Sequence, residues 1–289
     1  MKKMIFTAAM NFIKSHIVVI LSLLCLGLAA CKDNAPQEVL NFGTERYDSA
    51  ALHVALVPNR DCLPIYYAER TGLYDSLGLK LQIATYGSQM DCDTTLMGRI
   101  ADGGWADRER MRTYGNKMKD IEPMWDGTLQ WSIYTCEQLR IRDLKALKGR
   151  TISIARNSAE KNYLLTVLNG AKINTDDVYF PQINNLKMRA QMLTGNQIDA
   201  AVLTWPYTAL AAANGHRCLK SQRFADPNAC FVIKRSHLKK AQRREQWKIF
   251  EKGRKMALDS IRIKGPKAYS LILQKDYGIP KEIADTLKY

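Results

Sequence analysis

The sequence has few of the side chains that enzymes use for nucleophilic or metal-dependent chemistry. Its 289 residues contain four histidines and seven cysteines, with no Cys-x-x-Cys pair and no cysteine at ligand spacing from a histidine. It also lacks Gly-x-Ser-x-Gly and Gly-x-x-x-x-Gly-Lys. These absences argue against structural zinc, a nucleophile-elbow hydrolase and a P-loop protein. We therefore expect no enzymatic activity, no catalytic residues, no metal and no cofactor.

The first thirty residues contain no acidic side chain. They carry Lys2, Lys3 and Lys14, followed by an apolar run over residues 17–28 that is typical of an export signal. A transmembrane anchor is the alternative, but twelve residues are well short of the ~20 needed to cross a bilayer. The run ends in Leu-Ala-Ala-Cys31, which resembles the bacterial lipobox. We expect a signal peptide over 1–30, acyl chains such as palmitate on Cys31, and a lipid-anchored tether over 31–50.

Acidic residues are also outnumbered in the rest of the chain. The 43 Lys and Arg exceed the 28 Asp and Glu, and removing residues 1–30 takes away three lysines and no acid, so the mature net charge is +12. This balance favours anionic partners without choosing among them. An exported chain without a nucleic-acid-binding motif is not expected to bind nucleic acid. The basic stretch 234–255 is interpreted as a solvated helix face.

Two similar β-α-β-α-β patterns lie about a hundred residues apart. The first has strands at 52–57, 79–85 and 100–105 with helices at 63–70 and 92–97; the second has strands at 151–155, 178–180 and 200–203 with helices at 159–168 and 186–193. Strands at 130–135 and 229–234 are predicted to connect the halves. The remainder, 238–289, is predicted to be helical and to pack on the first half. Repeated α/β units of this kind predict parallel-biased sheets with helices on both faces.

The order of these motifs resembles the type II periplasmic binding proteins, in the branch that serves taurine, sulfonate, nitrate and thiamine-pyrimidine importers. The resemblance rests on Val57-Pro58, the helix ending at Gly72, the Leu-Lys-Gly149 entry to the second half, the turn at Gly195 and Thr204-Trp205-Pro206. It implies a two-lobed α/β fold with two hinge strands, lobe 1 over 51–130 and 230–289, and hinge and lobe 2 over 131–229. It departs from the branch at Trp205, where an acid is usual.

Ligands of open α/β sheets bind beyond the carboxyl ends of the strands. The residues at those ends are therefore the predicted ligand-binding residues: Asn59, Arg60, Asp61, Tyr86, Ser88, Gln89, Trp105, Asp107, Arg156, Asn157, Ser158, Gln182, Thr204 and Trp205. Ser158 stands before a predicted helix, where free N–H groups and the Arg156 guanidinium could hold an anion. An ordinary N-cap without a ligand is the alternative.

The aromatic and sulfur-containing side chains each allow more than one interpretation. Trp105 and Trp205 could close on one planar ligand from opposite lobes, or could be core residues. Trp125, Trp131 and Tyr134 are predicted to pack the hinge. Export makes a disulfide between Cys62 and Cys92 feasible, with Cys136 to Cys230 and Cys218 to Cys230 as competing pairs.

The resemblance implies the substrate-binding lipoprotein of an ABC importer. We expect a monomer in the cell envelope, periplasmic or on the outer face of the inner membrane, with an ABC permease and ATPase as partners. The expected solute is a small organic anion or, second, a heteroaromatic compound. The alternatives are a lipid-anchored sensor or interaction protein, or an enzyme resembling those of thiamine-pyrimidine synthesis or the related dehydratases.

Overall fold

The computed structural model describes residues 41–98, 100–223 and 228–289. The predicted signal peptide and Cys31 lie outside them. Residues 41–289 form one compact unit. Its strands are β1 (Asn41–Phe42), β2 (Glu45–Arg46), β3 (Leu52–Leu56), β4 (Leu81–Thr85), β5 (Gly103–Asp107), β6 (Ile121–Asp126), β7 (Gln130–Thr135), β8 (Ile152–Ser153), β9 (Ala200–Leu203), β10 (Arg217–Arg223) and β11 (Ala229–Lys234).

Helices cover the faces of the sheets and form most of the C-terminal segment. They are α1 (Leu63–Arg70), α2 (Leu73–Ser76), α3 (Gln89–Met97), α4 (Arg108–Tyr114), α5 (Ala159–Gly170), α6 (Leu186–Thr194), α7 (Tyr207–Ala213), α8 (Ala241–Lys264), α9 (Ser270–Lys275) and α10 (Lys281–Ala284). Single 3-10 turns occur at Gly115–Met118, Glu137–Leu139, Leu144–Leu147, Thr175–Asp177, His237–Lys239 and Pro266–Ala268.

Two mixed sheets organise the described unit, as the predicted fold requires. The first has the order β4-β3-β5-β11-β6, with β3 parallel to β4 and β5 and with β11 antiparallel to its neighbours. The second has the order β10-β7-β9-β8, with only β8 and β9 parallel. We call the part built on the first sheet lobe 1 and the part built on the second lobe 2.

The chain passes between the lobes twice. It leaves β6 at Asp126 and enters β7 at Gln130, and it returns between Arg223 and Ala229. The two predicted connecting strands are present, and each lies wholly within one sheet, directly after the connection.

The predicted tether is too long. Phe42 is buried, its ring lies edge-on to His53 at 5.0 Å, and Tyr47 stacks on His53 at 4.2 Å. Residues 41–50 therefore belong to the folded unit. The predicted strand 178–180 is also wrong, because Tyr179 makes only a single bridge, with Thr151.

The C-terminal helices pack on lobe 1, as predicted. Tyr74 stacks on Phe250 of α8 at 5.4 Å, and its hydroxyl donates a hydrogen bond to the Phe250 carbonyl. Trp125 stacks on Phe231 within this same core, so it packs in lobe 1 and not at the hinge. None of the described helices is long and apolar enough to cross a membrane.

Candidate functional site

A narrow cavity lies between the two sheets, beyond the carboxyl ends of β3, β5 and β9. Both lobes contribute to its walls. Its volume is about 40 Å³, which is room for a few water molecules and too little for an organic solute. The lining residues are Val57, Asn59, Gly87, Gln89, Trp105, Asp107, Leu129, Trp131, Ala155, Ser158, Glu160, Asn184, Leu186, Thr204, Asn228 and Ala229.

The Asp107 carboxylate joins the N-termini of two helices, one in each lobe. Asp107 ends β5 and caps α4: its Oδ1 accepts hydrogen bonds from the backbone N–H groups of Glu109 (2.8 Å) and Arg110 (3.1 Å). Its Oδ2 accepts from the N–H of Ala159, the first residue of α5, at 2.8 Å. Burial raises the pKa of Asp107 to about 7 despite these three hydrogen bonds. The carboxylate therefore gains backbone donors, and it forms no ion pair with any side chain in the described part of the chain.

Arg110, whose backbone N–H binds Asp107, forms a buried ion pair through its side chain. The Arg110 guanidinium binds Asp93 of α3, and its Nη1 donates to the backbone carbonyl of Arg156 in lobe 2 at 3.2 Å. Its Nη2 donates to the Tyr114 hydroxyl at 2.6 Å. Burial raises the pKa of Asp93, while Arg110 and Gln89 oppose that rise. Asp107 and Arg110 thus both make hydrogen bonds between the lobes.

A second carboxylate in the cavity wall has its own cation. Glu160 of α5 lies 2.8 Å from Nη1 of Arg189, and the Arg189 side chain is fully buried. The same guanidinium donates to the carbonyls of Ile183 and Val202. Burial raises the pKa of Glu160 and lowers that of Arg189, and the pairing only partly offsets each change. The negative charge of Glu160 is therefore balanced by the adjacent Arg189.

Aromatic surface and unused hydrogen-bond donors complete the cavity. Trp105 is buried, and its backbone carbonyl accepts from the Gln89 side chain. Trp131 is 6% exposed, and its Nε1 has no hydrogen-bond partner in the described protein. The Asn228 side-chain amide nitrogen is likewise without a partner. Two donors can thus be satisfied by a solute or by water.

A larger cavity of about 290 Å³ lies beside the first and shares Leu129 and Thr204 with it. Arg60 and Trp205 line this second cavity. The Arg60 guanidinium lies over the Tyr289 ring at 4.8 Å, and Trp205 packs edge-on against Tyr277 and Tyr289. The indoles of Trp105 and Trp205 therefore line different cavities, which leaves their predicted role as a facing pair without support.

Six of the fourteen predicted ligand-binding residues line the first cavity. They come from five of the strand ends: Asn59, Gln89, Trp105, Asp107, Ser158 and Thr204. Ser158 caps α5 as predicted, since its Oγ accepts from the Lys161 N–H at 3.3 Å and donates to the Ala155 carbonyl. Local strand and cap patterns were sufficient to find these residues.

The other eight lie elsewhere. Arg156 and Asn157 are exposed outside the cavity wall, with Asn157 in a left-handed turn at φ 50°, and Arg156 offers only its carbonyl to Arg110. Asp61 binds Thr128, and Tyr86 accepts from Thr95. Ser88 caps α3, Gln182 is exposed, and Arg60 and Trp205 line the second cavity. The predicted arginine-centred anion site is therefore not assembled.

Four polar or aromatic residues of the wall were missed. Trp131 was assigned to hinge packing, but it lines the cavity, and Glu160, Asn184 and Asn228 were not predicted at all. The sequence did contain an indication for Glu160. It is an acid in the first turn of α5, and the N-terminus of that helix faces the cleft, so its side chain is expected to lie near the cleft. Asn184 had none, since it lies beyond Gln182 and close to the next predicted helix, and Asn228 had none, since it precedes a predicted strand.

The predicted disulfide between Cys62 and Cys92 is not formed. Both are buried free thiols, as are Cys136 and Cys230, and Cys218 is free and exposed. The Cys92 sulfur donates to the carbonyls of Ala55 and Trp105, so it faces the sheet. Neither competing pair is formed. Among the described residues there is no cluster of His, Cys, Asp and Glu that could hold a metal ion.

Two lobes joined by two connections, with a cavity at the strand ends between them, define the fold of the type II periplasmic binding proteins. Residues 59–236, more than half of the chain, match the NMT1/THI5-like family. The chain therefore belongs to the NMT1/THI5-like family. A comparison with curated protein sequences gave no significant match.

Solved structures with the same fold include three solute-binding proteins. The alkanesulfonate-binding protein SsuA from Xanthomonas axonopodis pv. citri, bound to MOPS, has a TM-score of 0.65 and 16% identity, over 82% of this chain and 83% of that one. The aliphatic sulphonate-binding protein SsuA from Escherichia coli gives 0.61 and 16%, over 81% and 80%. The nitrate-binding protein NrtA from Synechocystis PCC 6803 gives 0.67 and 13%, over 81% and 68%.

Proposed function

We propose that this protein is the substrate-binding component of an ABC importer, and that it captures a small organic solute between its lobes. The observation that carries the proposal is the cavity at the strand ends, whose wall comes from both lobes of a chain in the NMT1/THI5-like family. The solute-binding proteins with the same fold support it. The lobes we assign are 41–126 with 229–289, and 130–223.

Capture would be a hinge motion without chemistry. Because the closed cavity holds only about 40 Å³, a solute must enter while the lobes are apart. Closure around the solute then adds contacts from the second lobe at a lobe separation slightly wider than the present one, so that the solute stabilises this nearly closed state over the open one. The Asp107 hydrogen bond to Ala159 and the Arg110 hydrogen bond to the Arg156 carbonyl belong to the closed arrangement. The closed form would then dock on the permease.

The unpartnered indole nitrogen of Trp131 gives a direct test of binding. Trp131→Phe keeps an aromatic side chain, though a smaller one, and removes a buried donor that a solute or water can satisfy. We expect the variant to lose some stability, because phenylalanine leaves part of the indole volume empty, and to bind a solute about tenfold more weakly. Thermal shift with benzamidine, benzamide, benzoate, ethanesulfonate and nitrate at millimolar concentration checks this, since a bound solute raises the unfolding temperature.

Trp247→Phe is the matched control, because its Nε1 is also buried without a partner and it lies outside both cavities. It should bind like the natural protein. If no compound in the panel raises the unfolding temperature of the natural protein, solute capture is the wrong function. If Trp131→Phe and Trp247→Phe bind equally well, the solute does not contact Trp131.

We also propose that the protein is anchored by lipid at Cys31, on the periplasmic side of the envelope. The acyl chains of the anchor would hold it at the membrane, since each buried methylene contributes about 0.8 kcal/mol. We expect Cys31→Ser to move the protein from the membrane fraction to the soluble fraction and to abolish labelling with a palmitate analogue. Cys25→Ser, within the predicted signal, should leave both unchanged. Membrane retention of unlabelled Cys31→Ser would contradict the anchor.

A further inference from the structure

The described lining of the first cavity contains acidic side chains, whereas the protein as a whole is basic. The chain carries a net charge of +15, yet the lining residues, all within the described part, include two carboxylates and no Lys, Arg or His. An anion in this cavity would meet Asp107 and Glu160 without a cationic side chain in the wall. A positively charged solute would instead be attracted by these carboxylates. The composition of the whole chain is therefore a poor guide to the solute.

Only one of the two carboxylates is free to attract a cation. Glu160 is already paired with Arg189 at 2.8 Å. Asp107 accepts three backbone hydrogen bonds, from Glu109, Arg110 and Ala159. Two carboxylate oxygens offer about four lone-pair positions, so one position on Asp107 remains available to a donor. The nearby guanidinium of Arg110 is bound to Asp93.

The position that would suit an anion is already filled by the protein. Free N–H groups at a helix N-terminus attract negative charge, and α5 presents its N-terminus to the cavity. The Asp107 carboxylate occupies it, 2.8 Å from the Ala159 nitrogen. A sulfonate or carboxylate could reach this helix end only by displacing Asp107 or by lying beside it. Like charges so close in a buried site oppose each other strongly.

We propose that the solute is an organic cation that donates an ammonium or amidinium N–H to Asp107, with an acceptor facing Trp131 and Asn228. The unpartnered Nε1 of Trp131 and amide nitrogen of Asn228 line the same cavity and supply the complementary donors. The aromatic side chains of Trp105 and Trp131, which both line the cavity, suit a flat or cationic group. This inference rests on the proposed function and names the class of its solute.

Three isosteric probes separate charge from shape. Benzamidine is a cation at neutral pH, benzamide is neutral and benzoate is an anion, while the ring and the planar head are alike. For the full-length protein we expect titration calorimetry to rank benzamidine over benzamide by about tenfold or more, as a charge-assisted hydrogen bond exceeds a neutral one by that factor. Benzoate should bind most weakly. This ranking in the natural protein needs no variant.

The variant Asp107→Asn then tests whether Asp107 is the group that binds the cation. The variant should lose the preference for benzamidine over benzamide, and benzoate should gain affinity. Asp75→Asn changes the net charge equally at an exposed site of α2 and should keep the natural ranking. Benzoate binding more tightly than benzamidine to the natural protein would overturn the inference and leave solute capture intact. An unchanged benzamidine preference in Asp107→Asn would overturn it as well, and the absence of binding by all probes would remove the proposed function with it.

Discussion

Replacing Arg189 by methionine is expected to lower the free energy of unfolding by about 3–5 kcal/mol, because it leaves a buried charge without its partner. Arg189 is fully buried and lies 2.8 Å from Glu160. Its guanidinium also donates to the Ile183 and Val202 carbonyls, which would lose these bonds. Methionine fills a similar volume, so a cavity would contribute little to the loss.

The effect should depend on pH in a defined direction. Burial already raises the pKa of Glu160, and without Arg189 that pKa rises further. A carboxyl group with a raised pKa in the folded state binds its proton there while the unfolded chain has released it. The folded state therefore loses stability as pH rises above the pKa of the unfolded carboxyl. Arg189→Met should be more damaging at about pH 8 than at about pH 5.

Denaturant unfolding of three variants checks the prediction. Arg112→Met removes a guanidinium from an ion pair with Glu109 that is largely exposed, and it should cost less than about 1 kcal/mol. Arg189→Met combined with Glu160→Leu removes both charges and should recover part of the loss. Arg189→Met within about 1 kcal/mol of the natural protein would show that the pair is not a determinant of stability.

The elements that could be predicted are those set by local patterns. The helix predicted over 63–70 is α1 to the residue, and the strand predicted over 200–203 is β9, because apolar spacing and a neighbouring glycine mark both segments. The hairpin at 41–46 could not be predicted. Phe42 and Tyr47 are ordered by packing on His53, a contact that no pattern within the segment indicates.

The candidate site divides in the same way. Asn59, Asp107 and Thr204 follow strands that the sequence marks clearly, so they could be placed at the cavity in advance. The charged groups that surround these residues could not be predicted. The exposure of Arg156 and the contact of Asp107 with Ala159 both depend on how closely β5 and α5 approach. A basic residue beside a helix cap predicted an anion site, whereas an acid from the other lobe reached the helix end.

The affinity for a cationic solute should fall as the medium becomes more acidic, since the proton and the solute compete for Asp107. Burial raises the pKa of Asp107 to about 7, and the neighbouring Asp93 raises it too. The charged groups around it are Arg110 of its own helix and Glu160 of α5, each paired with another side chain. Below the pKa, a cation must displace one proton to bind. The affinity then falls by about tenfold per pH unit.

Calorimetric titration of the full-length protein with benzamidine should therefore show about a hundredfold loss of affinity between about pH 8 and about pH 5. Benzamide carries no charge, so its affinity should change far less over that range. Asp107→Asn cannot titrate and should abolish most of the pH dependence for benzamidine, which separates Asp107 from Glu160, whose pKa is also raised by burial. The released protons give a second measurement, because benzamidine binding at about pH 6 should release close to one proton per solute into the buffer. Benzamidine affinity that stays constant from pH 8 to pH 5, without proton release, would contradict the assignment of Asp107 as the group that binds the cation.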